Sequence, residues 1–231
     1  MLNQLSYEIW DKEIAWIAVI LVSFITSVIM FKRAYVKTDS EIKFNPIFRD
    51  YGLFAIGYLL SRIAFVFSDF EKLNHGESAT YVLFVISGYI VGFFSALSII
   101  SLFEMHILQM KRNILSKMFL IFGLALVVGF ILILISPTIA NTIISPIRII
   151  SIVLSGFGFV VVIYLYAKII FQFAGDLRRN AIFTFIGFIL IFAGTVMDSQ
   201  LFINSLNIPI WLPAIFPIVG MIDLIIVQRT L

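Results

Sequence analysis

The sequence predicts an all-α polytopic membrane protein, a bundle of seven transmembrane helices with the N-terminus outside and the C-terminus inside. Three observations predict it. Of 231 residues, 61% are apolar and only 13% are charged, whereas soluble domains stand nearer half and a quarter. The apolar residues gather in seven spans, 14–31, 51–69, 79–103, 115–136, 148–173, 180–197 and 208–227. Each is close to the ~20 residues that cross a bilayer as a helix. The connections are short, so 1–231 reads as a single transmembrane domain with no stretch left for a soluble catalytic or nucleic-acid-binding domain.

Each span has its own marks. Span 1 follows Glu8, Asp11 and Glu13, whereas a cleavable signal peptide needs a basic leader, so this span is expected to be retained. The connection from Lys32 to Asp50 is polar and holds Asn45-Pro46, a turn signal. Span 2 carries Arg62 near its middle. Span 3 shows Gly88-x-x-x-Gly92-x-x-x-Ala96, a spacing that lets helix backbones approach closely, within the bundle or in a dimer. It closes on Glu104 and His106. Span 4 rests on its apolar run alone. Span 5 holds Tyr164, Tyr166 and Lys168. In span 6, Ile186-Gly187-Phe188-Ile189-Leu190 echoes Ile56-Gly57-Tyr58-Leu59-Leu60 of span 2, and Asp198-Ser199 echoes Ser68-Asp69. That is a weak hint of a three-plus-one-plus-three repeat. Span 7 has Pro209 at its start, Pro213 and Pro217 inside, then Gly220 and Asp223.

Basic residues set the orientation, because cytoplasmic loops are rich in Lys and Arg. One side carries Lys32, Arg33, Lys37, Lys43, Arg49, Lys111, Arg112, Lys117, Arg178, Arg179 and Arg229; the other has only Lys12, Lys72 and Arg148. Trp10 and Trp211 fall at the outer interface, where indole rings settle.

Ionisable groups inside a bilayer cost about 2.5–3.5 kcal/mol each on insertion scales and mark candidate sites. Helical side chains lean toward their own N-terminus. Arg62 therefore leans inward and Asp223 outward, and the two are expected to pair. The pair is either a staple fixing helix register or a ligand or proton site. Tyr58 and Tyr89 are the candidate polar lining beside it. Glu104, His106 and Lys168 form a candidate cytoplasmic-side polar cluster, with Arg33 and Lys111 as further partners for Glu104. His106 titrates near neutrality, though a histidine beside a loop is commonly just solvated. Pro213 and Pro217 each remove a backbone hydrogen bond and make span 7 a candidate hinge, or a static kink.

Several classes are excluded. With no cysteine there is no disulfide, thiolate metal site or iron–sulfur ligation. Two histidines, His75 and His106, fall at opposite ends and cannot ligate haem together. No metal and no cofactor is expected. Retinal needs a lysine in the last span, and the last lysine is Lys168. Receptor signatures of the G-protein-coupled class are missing: span 3 ends in Phe103-Glu104-Met105-His106, and span 7 reads Phe216-Pro217-Ile218-Val219. Spans 1 and 5 lack the proline typical of small sugar transporters with a three-plus-one-plus-three build. Asp198 and Asp223 differ in depth by roughly 15–20 Å at the α-helical rise, too far to act as an aspartyl protease dyad. The segments around them faintly echo Bax-inhibitor-type proton-sensitive channels over fewer than about ten residues. No basic run with interleaved aromatics supports nucleic-acid binding. No nucleophile–base–orienter set can be assembled, so the chain reads as a non-enzyme.

Tyr164-Leu165-Tyr166-Ala167-Lys168, Gly175-Asp176-Leu177-Arg178-Arg179-Asn180-Ala181, Gly187 and Gly194 together resemble a pattern of uncharacterised archaeal seven-helix membrane proteins. Arg62, Glu104 and the Ile/Phe/Lys/Asn-rich composition suit that group. The layout is similar to seven-helix input modules that precede some sensor histidine kinases, although no kinase domain is present. The resemblance implies a sensor-like bundle in the cell membrane with no catalytic residues, signalling to a separate cytoplasmic or membrane partner. The leading expectation is a receptor-like protein that binds a small molecule, lipid or partner within the bundle. A small-solute or proton transporter or channel is the second, and an assembly subunit of a membrane complex the third.

Overall fold

A helix satisfies its own backbone, so an apolar helix is the unit that lipid accepts. The computed structural model describes residues 2–37, 42–107, 113–136, 138, 140–198 and 209–227. Among these residues seven α-helices follow one another: α1 Leu2–Ala34, α2 Pro46–His75, α3 Ala79–Leu102, α4 Ile114–Ile135, α5 Ala140–Gln172, α6 Gly175–Met197 and α7 Leu212–Val227. Five helical stretches, Lys12–Ala34, Pro46–His75, Ala79–Met105, Ile114–Ile135 and Arg178–Met197, are long and apolar enough to cross a membrane; Gly156–Gln172 and Leu212–Val227 are shorter apolar helices. The chain is a helical membrane protein.

Each helix packs against the next in sequence, and α1 also packs against α7, which closes the ring; α3 additionally touches α5. Small residues make the closest seams. Between α2 and α3, Ser61 Oγ donates to the Gly88 carbonyl at 2.7 Å and Ser95 Oγ to the Phe54 carbonyl at 2.7 Å. The Phe65 ring covers Gly88. The Gly88–Gly92 stripe thus packs inside the bundle. Between α6 and α7, Gly194 lies against Pro217 and Gly187 against Gly220. Stacked and edge-on rings fill the centre: Phe54 on Phe188, Phe103 on Tyr166 and Phe93 on Phe119. Leu21, Val28, Ile121, Ile135 and Phe171 are exposed, as a lipid-facing surface requires.

The structure departs from the sequence expectation at four places. The Lys32–Asp50 connection is partly regular: β1, Tyr35–Lys37, pairs antiparallel with β2, Ile42–Phe44, and Tyr35 faces Phe44 across the ribbon. Asn45-Pro46 is a helix start, not a turn. Asn45 Oδ1 accepts from the Ile47 N–H and Pro46 opens α2, a position where the missing proline N–H does no harm. Five residues of π-helix, Phe103–Ile107, extend α3. Finally, α7 begins at Leu212, so Pro213 lies in its first turn and Pro217 is the internal proline.

Candidate functional site

The end of the bundle where α1 begins and α2 and α6 finish gathers most of the buried charge. Helical spacing explains the gathering. Lys12 and Trp16 are four residues apart on α1, with Glu13 between them. Tyr58, Arg62 and Asp69 follow one another at one turn and then two turns of α2, on a shared face. Asp198 directly follows the last residue of α6.

Asp198 is the hub. Its Oδ1 accepts from Trp16 Nε1 at 3.1 Å and lies 3.5 Å from Lys12 Nζ, while Oδ2 meets Arg62 Nη1 at 3.3 Å. Lys12 Nζ also donates to Asp69 Oδ2 at 2.8 Å. Burial pushes the Asp198 carboxyl above its ordinary range; Lys12, Arg62 and the Trp16 hydrogen bond pull against that push. Arg62 is only 4% exposed. Its guanidinium lies over the Trp16 ring at 4.0 Å from the centroid, with Tyr58 at 5.2 Å and Phe65 at 5.7 Å. Such a cage stabilises a desolvated cation through the ring faces. Arg62 Nε is buried with no hydrogen-bond partner among the described residues. The Tyr58 hydroxyl bonds with Thr195 Oγ1 at 3.1 Å.

The expected Arg62–Asp223 pair does not form. Arg62 reaches toward the C-terminal end of its own helix, to Asp198. The long guanidinium stem overrides the small N-terminal lean of its Cβ, and the nearest carboxylate takes it. Asp223 lies beside Gly187, its Oδ2 buried without a hydrogen-bond partner among the described residues. Gly187 precedes Asp198 by eleven residues, or about 16 Å of helix. Tyr58 does line the Arg62 site, whereas Tyr89 packs edge-on against the Phe65 ring, 5.3 Å away.

Glu104 stands at the opposite end of the bundle and is fully buried. It does not pair with Lys168, which sits half-buried on α5. Instead its carboxylate accepts from the backbone N–H groups of Leu115 and Ser116 at 2.8 and 2.7 Å, and from the Ser116 hydroxyl. A carboxylate there caps the first turn of α4 and meets the positive end of its dipole. Arg33 reaches the Ile225 carbonyl in the last turn of α7 at 3.0 Å, not Glu104. The side chain of His106 and residue Lys111 lie outside the described residues. Pro217 packs into Gly194, a fitted contact in the α6–α7 seam.

Lys12, Glu13, Trp16, Asp69 and Asp198 were not legible as a site in the sequence. The signal was present: Tyr58, Arg62 and Asp69 fall on one face of one helix. Among the described residues, no group of three or more His, Cys, Asp or Glu could hold a metal ion. No protein family, curated protein sequence or solved structure matches the chain.

Proposed function

We propose that the chain is a multi-pass protein of the cell membrane whose seven helices all cross the bilayer, with the N-terminus outside, and that it acts as a receptor-like sensor of a small polar molecule. The eleven-to-three division of basic residues between the two sides supports the orientation. One observation carries the binding reading. Arg62 is buried, caged by aromatic rings, and bound to Asp198 through one Nη1, while its Nε donor has no acceptor among the described residues. A guanidinium offers a planar fork of donors suited to a carboxylate or phosphate. The ligand chemistry this supports is a small molecule with an acidic group, docking at Arg62 with its body against Trp16 and Tyr58. A separate membrane or cytoplasmic protein is the proposed recipient of the signal.

Native mass spectrometry of protein drawn gently from its own membranes tests this. A retained acidic small molecule, lost on Arg62→Ala and kept on Asp223→Asn, is the expected result. A bare chain that no panel of carboxylates or phosphates stabilises thermally would sink the receptor reading.

One observation favours a second reading, a transporter or channel for a small solute or proton. Asp223 is a half-buried carboxyl in the α6–α7 seam, and its Oδ2 is buried without a hydrogen-bond partner among the described residues. Uptake into liposomes that falls in Asp223→Asn and persists in Arg62→Ala would select that reading.

A further inference from the structure

Three carboxyl groups and two cations meet at the Arg62 end of the bundle, and the cations are both engaged. Lys12 bridges Asp69 at 2.8 Å and Asp198 at 3.5 Å, and Arg62 holds Asp198 at 3.3 Å. The third carboxyl, Glu13, is 1% exposed, and neither of its oxygens has a hydrogen-bond partner among the described residues. Among the described residues, the charged groups around it are Lys12 on its own helix, Asp69 on α2 and Asp198 after α6, with Arg62 behind Asp198. Were Glu13 ionised, a desolvated carboxylate would face another carboxylate with no donor between them. Burial and like charge both oppose that state. One proton removes both objections, because a protonated carboxyl donates to its neighbour as two carboxyls do when they share a site.

We propose that Glu13 is a proton-binding site: it holds one proton, donates it as a hydrogen bond to Asp69, and through Lys12 ties its loading to the Asp198–Arg62 pair. When the proton leaves for water, a second negative charge appears beside Asp69. Lys12 is then drawn toward the carboxyl pair and away from Asp198, which leaves Asp198 to Arg62 and the Trp16 N–H. Proton occupancy thereby sets how firmly Arg62 is held. The consequence for ligand binding rests on the reading given above; proton binding itself does not, and it is measured with no ligand present.

Infrared spectroscopy of the intact protein in lipid vesicles, titrated with pH, tests the proposal. The expected result is a carboxylic C=O band that persists well above the pH where exposed carboxyls ionise. It should vanish in Glu13→Gln, shift in Asp69→Asn, and remain in Asp223→Asn, which removes a half-buried carboxyl with one unpartnered oxygen among the described residues. Glu13→Asp keeps the group on a shorter stem and should keep a displaced band, a check that survives if Glu13→Gln folds poorly. Thermal stability should fall as pH rises through the titration in the wild type and fall less in Glu13→Gln, where the Asp198 contribution remains. A wild-type band unchanged by Glu13→Gln overturns the proposal. So does stabilisation by sodium or potassium at fixed pH that disappears in Glu13→Gln, which would make the occupant a monatomic cation. Loss of acidic-ligand binding in the Arg62 variant with this band intact would separate the two sites.

Discussion

A guanidinium placed among apolar helices must keep its compensating charge, and at Arg62 that charge is Asp198. Removing one member of a buried pair leaves the other uncompensated, which costs about 3–5 kcal/mol. Arg62→Ala should therefore destabilise the protein by roughly that amount, measured as a lowered midpoint in thermal unfolding in detergent. The loss should grow with pH. The folded Asp198 carboxyl already sits above its unfolded value because of burial, opposed by Lys12 and Arg62. Without Arg62 it rises further. A raised folded pKa means the native state binds the extra proton, so stability is full at low pH and is lost as pH climbs through the folded value. A variant whose deficit is the same at acid and alkaline pH would contradict this. Arg62→Lys keeps the charge but loses the planar stack on Trp16, and it should fall between wild type and Ala. Glu104 gives a second test at this scale. It satisfies two backbone donors at the start of α4, and loss of such a cap typically costs about 1 kcal/mol and up to about 2. Glu104→Ala should lose that much in thermal stability, and Glu104→Gln less, since an amide oxygen still accepts. An equal loss in a Lys168→Ala variant would point back to the ion pair the sequence suggests.

At the scale of elements, the glycines divide by what a side chain would meet. A methyl group on Gly194 would collide with the Pro217 ring and the Pro213 carbonyl, neither of which can swing aside. Gly156 on α5 has open space around it. Gly194→Ala should cost about 1–3 kcal/mol through overpacking, whereas Gly156→Ala should be neutral or stabilising by up to about 1 kcal/mol from helix propensity. Thermal unfolding of the pair separates a fitted α6–α7 seam from a flexible one; equal effects would restore the hinge. The same seam shows which features were legible. Apolar runs marked the helices, because lipid demands a continuous apolar stretch; five helical stretches are long and apolar enough to cross, and α1 and α5 begin twelve and eight residues before the runs do. Small-residue stripes read correctly as helix contacts. The Pro213 position was misread, since the helix start depends on how Pro209 to Leu212 turn, and no local capping residue marks it. Asn45-Pro46 carries two meanings, turn and N-cap, and only the long helix that follows decides between them. The charge cluster was hidden for a different reason. Lys12, Glu13, Asp69 and Asp198 sit at span ends, where charge is ordinary, and their convergence depends on which helices become neighbours.

For the whole molecule, the decisive matter is how many helices cross. Contacts around the ring place the beginning of α1, the end of α2 and the end of α6 together, through Lys12, Asp69 and Asp198. The ends of α1 and α7 meet at the opposite pole, through Arg33 and Ile225. Alternate crossing by seven helices produces that arrangement. So would a bundle in which a pair of helices lies folded back on one side. Because the chain has no cysteine, single-cysteine variants report sidedness without background. His75, Asp176 and Trp211 are exposed positions at the end of α2, at the start of α6 and before α7. Between the first two lie α3, α4 and α5, an odd number; between the first and last lie four helices, an even number. His75→Cys and Trp211→Cys should therefore react with a membrane-impermeant maleimide on intact cells, and Asp176→Cys only after permeabilisation. Labelling of all three from one side would mean that α6 and an odd number of α3, α4 and α5 fail to span. The mirror pattern, Asp176→Cys alone labelled on intact cells, would invert the molecule. It would then place the Arg62 and Glu13 cluster toward the cytoplasm, where its proton would come from the cell interior.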